Sequence, residues 1–126
     1  MKDLLLVFIG GGLGSLSRFF VSRLFNPLHA WFPVSTLLAN VCSCLILGVF
    51  IGLTAEKNFY SHPLKLFIFT GFCGGFSTYS AFAFETLGLV ETGQLLPAFL
   101  NIIMNLLVCI AAIVIGIYIV KNLIPD

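Results

Sequence analysis

Charge is scarce in this sequence. Lys, Arg, Asp and Glu make up 9% of its 126 residues, where a soluble domain carries about 25%. A soluble fold of this length leaves roughly a third of its unfolded surface in water, and six basic plus five acidic side chains do not cover that area. The shortage argues against a soluble enzyme. It equally argues against disorder, which needs few hydrophobes and high net charge, because hydrophobic residues reach 60% and the net charge is +1. With the signs nearly balanced there is no basic footprint for nucleic acid. Long polar linkers are missing too, and the length sets one domain. These residues belong in a lipid membrane.

A spanning helix needs about 20 mostly apolar residues, and four segments qualify: Leu4 to Phe25, Val34 to Leu53, Leu64 to Leu89 and Leu95 to Val120. The expected architecture is an all-α membrane protein, a single four-helix transmembrane domain over residues 1–126. Turn chemistry separates the segments: Asn26-Pro27 with Pro33, then Glu56-Lys57-Asn58 through His62-Pro63, then Glu91-Thr92-Gly93 with Pro97. Short connections predict that successive helices are antiparallel neighbours. With the N-terminus inside, the inner side holds Lys2, Lys57, Lys65 and Lys121 against Arg18 and Arg23 on the other, a weak bias under the positive-inside rule. No cleavable signal is expected, because the first apolar run is long and no small-residue cleavage site follows a short core. No internal repeat is visible, so the chain does not contain its own inverted half. Cys42, Cys44, Cys73 and Cys109 all lie in apolar runs without zinc-finger spacing and read as small hydrophobic packers.

The first helix opens Leu4-Leu5-Leu6-Val7-Phe8-Ile9-Gly10-Gly11-Gly12-Leu13-Gly14, which superficially suggests a dinucleotide-binding turn. No acidic residue lies near position 30 and no second βα unit follows. In a spanning helix Gly10, Gly14 and Ser15 instead let another helix approach closely. Arg18, about a turn later, either snorkels or faces an aqueous cavity, where it would draw anions.

The third segment carries Gly71-Phe72-Cys73-Gly74-Gly75-Phe76-Ser77-Thr78-Tyr79-Ser80-Ala81-Phe82. Glycines and hydroxyl residues at this density weaken an α-helix where lipid offers no substitute hydrogen bonds. The reading is a helix broken in mid-membrane, with carbonyls near Gly74 and Ser77 available to a hard monovalent cation; the competing reading is an unbroken glycine-rich helix. Tyr79 and Phe82 lie three apart on one face, and their electropositive ring edges suit a small anion. Among fourteen Phe such pairs also arise by packing alone. Two polar stripes supplement them: Thr36, Asn40 and Ser43 on the second helix, and Asn101, Asn105 and Cys109 on the fourth. Stripes of this kind line a polar pathway or act as interhelical glue at about 0.6 kcal/mol each.

Donors in these stripes are neutral, and Glu85 is the one carboxylate in the third segment. A proton-coupled or cation pathway keeps an acidic residue at its centre; neutral donors and ring edges suit a hydrogen-bond-accepting anion. Glu85 either accepts hydrogen bonds near an aqueous end or takes a gating or proton-linked role.

Together, the Gly-rich first helix with Arg18, the stretch from Thr36 to Asn40, and the string from Gly71 to Phe82 with Glu85 resemble the Fluc/CrcB family of fluoride channels over nearly the whole chain. The resemblance implies an antiparallel, dual-topology homodimer in a prokaryotic inner membrane. It also implies two pores lined by both subunits and a central structural sodium ion. On it, Asn40 is the pore amide, Tyr79 and Phe82 form the aromatic box, and Ser80 is a polar neighbour of that box. Gly74 and Ser77 supply the sodium-binding carbonyls, and Arg18 the vestibule charge. The family's fourth-helix hydroxyl track falls near Cys109 and Ile113, a weak donor and none, with Asn105 as a substitute. Tyr79 stands where the family usually has Phe. Pairs of unlike subunits in this family leave a heterodimer open.

The expectation is therefore a passive channel that exports fluoride from the cytoplasm and catalyses no reaction. Two alternatives are a proton-coupled small multidrug exporter, which needs a Glu that the first helix lacks, and a non-transporting assembly subunit whose stripes are only glue.

Overall fold

The computed structural model describes residues 1–25, 31–57 and 62–123. The expected turns at Asn26-Pro27 and from Asn58 lie outside the described residues. Four helical spans are long and apolar enough to cross a membrane: Lys2–Phe25, Val34–Leu53, Pro63–Glu91 and Leu95–Leu123. No strand occurs among the described residues. Helix α1 covers Lys2–Phe25 and α2 covers Val34–Lys57. The third span divides into α3 (62–76) and α4 (Tyr79–Glu91), and α5 (Leu95–Leu123) closes the chain. The chain is a multi-pass membrane protein.

Helix α3 is itself irregular. One α-helical turn, His62–Lys65, leads into π-helical Leu66–Cys73 and a last turn, Gly74–Phe76. The wider π spacing shows where Gly74 N–H donates to the carbonyl of Phe69, five residues back. Ser77 (φ −75°, ψ 157°) and Thr78 (φ −152°, ψ 115°) are extended, which breaks the third span as the Gly/Ser/Thr cluster predicts. Thr78 then caps α4, its Oγ1 accepting from Ala81 N–H at 3.2 Å. At the far end α4 stops at Gly93, whose positive φ of 75° is the left-handed conformation that glycine adopts freely.

Successive helices do touch, as expected, but they are not the most closely packed pairs. The closest pairs are alternate helices, α1 with α3 and α2 with α5. Short connections fix the up-down direction of the chain, but glycines choose which helices approach closest. A Cβ on Gly10 would run into the backbone of Phe67, Gly71 and Phe72, and one on Gly14 into that of Phe72 and Phe76. On the other pair, Gly48 and Gly116 leave room for the backbones of Ile113 and Leu45 respectively. Many large side chains face outward, among them Phe8, Leu16, Phe20, Leu107 and Ile110, consistent with a lipid surround in which apolar exposure carries no penalty.

Gly14→Val should destabilise the protein by about 1–3 kcal/mol through overpacking, whereas Gly12→Ala, with nothing within 4 Å of the added carbon, should be neutral. Thermal unfolding and the monodisperse fraction of detergent-purified protein provide the readout.

Candidate functional site

A cavity of about 400 Å³ opens where the third span breaks. Its walls come from α2 (Asn40, Cys44), the break and the start of α4 (Ser77, Thr78, Tyr79, Phe82) and α5 (Ile102, Asn105, Leu106, Cys109). None of these residues is Lys, Arg, Asp or Glu. The cavity thus brings together Asn40, Ser77, Tyr79, Phe82, Asn105 and Cys109 from the sequence-predicted set. Thr36, Ser80, Arg18, Gly74 and Glu85 do not line it.

The break is held open from α2. Thr78 N–H, which in a continuous helix would bond to the Gly74 carbonyl, donates instead to Asn40 Oδ1 at 2.8 Å. Ala81 N–H, which would bond to Ser77, is taken by Thr78 Oγ1. One turn earlier the Cys73 carbonyl accepts from Ser77 N–H at 3.0 Å, Ser77 Oγ at 2.8 Å and Ser43 Oγ at 3.0 Å. Side chains thus satisfy groups that lipid leaves stranded.

Asn40 begins a chain of amides whose direction is fixed. A backbone N–H only donates, so Asn40 must present its oxygen to Thr78 and its nitrogen to Asn105 Oδ1, at 2.9 Å. Asn105 Nδ2 then donates to Asn101 Oδ1 at 2.9 Å and to the Asn101 carbonyl at 3.0 Å. Asn101 Nδ2 donates to Thr86 Oγ1 at 2.9 Å, and Thr86 donates to the Phe82 carbonyl at 2.7 Å, an acceptor only. The relay runs from Phe82 on α4 through α5 and α2 back to Thr78, fastening both ends of the first turns of α4. Asn101 is fully buried, at 0% exposure. Asn105, expected as a pore donor, has its nitrogen engaged by Asn101 and serves Asn40 as an acceptor.

Tyr79 and Phe82 pack with ring centroids 5.5 Å apart at 52°. Tyr79 is 81% exposed, so its ring stands out from the mouth of the cavity. Ser80, on the exposed side, shares a hydrogen bond of 3.2 Å with Thr78 Oγ1. Glu85 Oε1 accepts from Thr36 Oγ1 at 2.7 Å, while its Oε2 is buried without a partner among the described residues. Arg18 lies on α1 away from the cavity walls.

Residues 5–117 match the family described as "CrcB-like protein, Camphor Resistance (CrcB)". The chain belongs to the CrcB family. It is 42% identical over 116 residues to the fluoride-specific ion channel FluC of Pyrococcus abyssi, covering 92% of this chain and 94% of that one. The protein of the same name from Flavobacterium psychrophilum is 37% identical over 124 residues, 98% of this chain and 100% of its own. A third, from Escherichia coli O17:K52:H18, is 42% identical over 107 residues, or 85% and 84% of the two chains. CrcB membership makes the chain a transporter and not an enzyme, and it draws attention to the polar and aromatic walls of the cavity.

Sequence reasoning located both polar stripes but missed Thr78 and Thr86 as links between them. The signal for Thr78 was its position as the hydroxyl residue immediately before a new helical run, an N-cap pattern. Asn101→Leu removes the donor to Thr86 Oγ1 and the acceptor for one N–H of Asn105 and should cost about 1–3 kcal/mol, read as a lowered midpoint of thermal unfolding in detergent.

Proposed function

We propose that the chain is a passive, fluoride-selective channel that exports fluoride across a prokaryotic inner membrane. The observation that carries this reading is the wall of the cavity, made of neutral donors and aromatic edges without a formal charge. One N–H of the Asn40 amide is spent on Asn105, and the amide carries a second. That second N–H, with the edges of Tyr79 and Phe82, offers partial positive charge to an anion that has shed water. Fluoride is small and accepts strong hydrogen bonds, so a few fixed donors replace its hydration better than that of a larger halide. The naming of similar chains as fluoride-specific channels supports the same ion. Thr36, Ser80, Arg18 and Cys109 extend the pathway beyond the cavity or along its walls, and Glu85, held by Thr36, sits where it would influence opening.

The working assembly in this reading is an antiparallel homodimer with two pores. The exposed Tyr79 ring and the apolar outer faces suit a second copy closing the open side of the cavity. At the centre, the carbonyls of Gly74 and Ser77 fit a sodium ion, because the N–H groups that would normally occupy them are diverted to Asn40 and to Thr78 Oγ1. No group of three His, Cys, Asp or Glu occurs among the described residues, so a cation there is held by neutral oxygens. Bound sodium would supply fixed positive charge between the subunits.

Fluoride efflux from liposomes that contain only this chain, measured with a fluoride electrode against a chloride control, tests the reading. Rapid fluoride loss with chloride retained is expected. Asn40→Asp keeps the acceptor for Thr78 but removes the donor and adds negative charge, and Phe82→Ile removes a ring edge. Each should slow efflux by more than about tenfold, a barrier change near 1.4 kcal/mol; unchanged flux in both would overturn the pore assignment. For the cation, the thermal midpoint should rise with sodium concentration and not with N-methylglucamine, as mass action on a folded-state site requires.

A further inference from the structure

Helices α2 and α5 run parallel in a fixed register. Asn40 bonds to Asn105 at an offset of 65 residues, and further along a Cβ on Gly48 would meet the backbone of Ile113, and one on Gly52 the carbonyl of Ile117. Positions four apart on one helix thus face positions four apart on the other. In the same ladder, between the amide pair and the glycine contact, stand Cys44 and Cys109. Both are free thiols, both are half-buried, and both line the cavity. Their side chains interact with each other. The other two cysteines differ: Cys42 points outward and Cys73 is buried, and neither lines the cavity.

We propose that Cys44 and Cys109 form a two-coordinate site for a soft divalent metal ion of the mercury(II) class, and that occupation of this site closes the ion pathway. Thiolates select soft metals. Metals that need four ligands in a tetrahedron find no cluster of three His, Cys, Asp or Glu among the described residues, whereas mercury(II) is content with two sulfurs in line. The reaction is ligand exchange: two S–H and two Hg–Cl bonds break, two Hg–S bonds form, two protons and two chloride ions leave, and no electrons change hands. Charge favours a divalent over a monovalent soft ion. Two thiolates and Hg(II) make a neutral adduct, which the apolar walls of Ile102, Leu106 and Phe82 accept, while the monovalent adduct would bury a net charge. The metal then sits one helical turn from Asn40, in the space an anion would cross. This last step rests on the channel reading; the metal site does not.

Two measurements separate them. Purified full-length protein titrated with mercury(II) chloride should lose two reactive thiols for one metal ion and gain a sulfur-to-mercury charge-transfer band. Cys44→Ala and Cys109→Ser should each abolish the paired uptake, and Cys42→Ala should leave it intact. Paired uptake that survives both variants, or that depends on Cys42 or Cys73, overturns the site. In fluoride-loaded liposomes mercury(II) should slow efflux more than about tenfold, reversibly with dithiothreitol, in the unaltered and Cys42→Ala proteins but not in Cys109→Ser. Paired uptake with undiminished efflux overturns the closure. Absence of fluoride efflux before any metal is added overturns the channel reading, and the thiol titration still decides the site.

Discussion

One backbone amide organises this protein. In the middle of a membrane an N–H without an acceptor is heavily penalised, and Thr78 N–H finds its acceptor on another helix, Asn40 Oδ1. That exchange breaks the third span and frees the Gly74 carbonyl from its normal helical partner. It also fixes the orientation of the Asn40 amide and places a polar residue of α2 at the cavity wall. Because the donor is part of the backbone, no substitution at Thr78 other than proline removes it. The side chain on α2 is therefore the variable half of the contact, and the geometry of the site follows from that half.

The amides behind Asn40 extend the same constraint. Each link in the series Asn40, Asn105, Asn101, Thr86 has its donor and acceptor ends assigned by its neighbours, between a backbone donor at one end and a backbone carbonyl at the other. Buried polar networks are stabilising when their members are satisfied, and here every oxygen of the series accepts a bond while one Asn40 N–H is left over. The same side chains that serve as interhelical fasteners thus shape the cavity. For Asn40, interhelical glue and cavity lining are not rival descriptions, because one N–H serves the packing while the amide still lines the cavity.

Much of this was legible in the sequence, and the limits are physical. The four spans declare themselves by length and hydropathy, and the glycine contacts of Gly10 and Gly14 by small-residue spacing in the first helix. The break near Ser77 follows from the density of glycine and hydroxyl residues. The π-helical stretch does not, since Leu66–Cys73 (LFIFTGFC) is apolar apart from Thr70 and carries no signal for a wider helical turn. Which stripe residue meets which partner was equally hidden. Thr36 and Asn40 are a single turn apart on one face, yet one holds Glu85 and the other a backbone amide. Closest approach depends on glycine positions in both partners, which is why alternate helices pack more tightly than successive ones.

The two halves of the broken span are gripped by different parts of the molecule. Before Ser77 the chain is locked through glycines to α1; after Thr78 it is tied by Asn101 to α5. Two extended residues join what are mechanically two bodies, and α2 touches both, through Ser43 on one side and Thr36 on the other. Any sliding or tilting of one body against the other is taken up at Ser77 and Thr78. Those residues form part of the cavity wall, so the joint between the two bodies and the shape of the cavity are set by the same two residues.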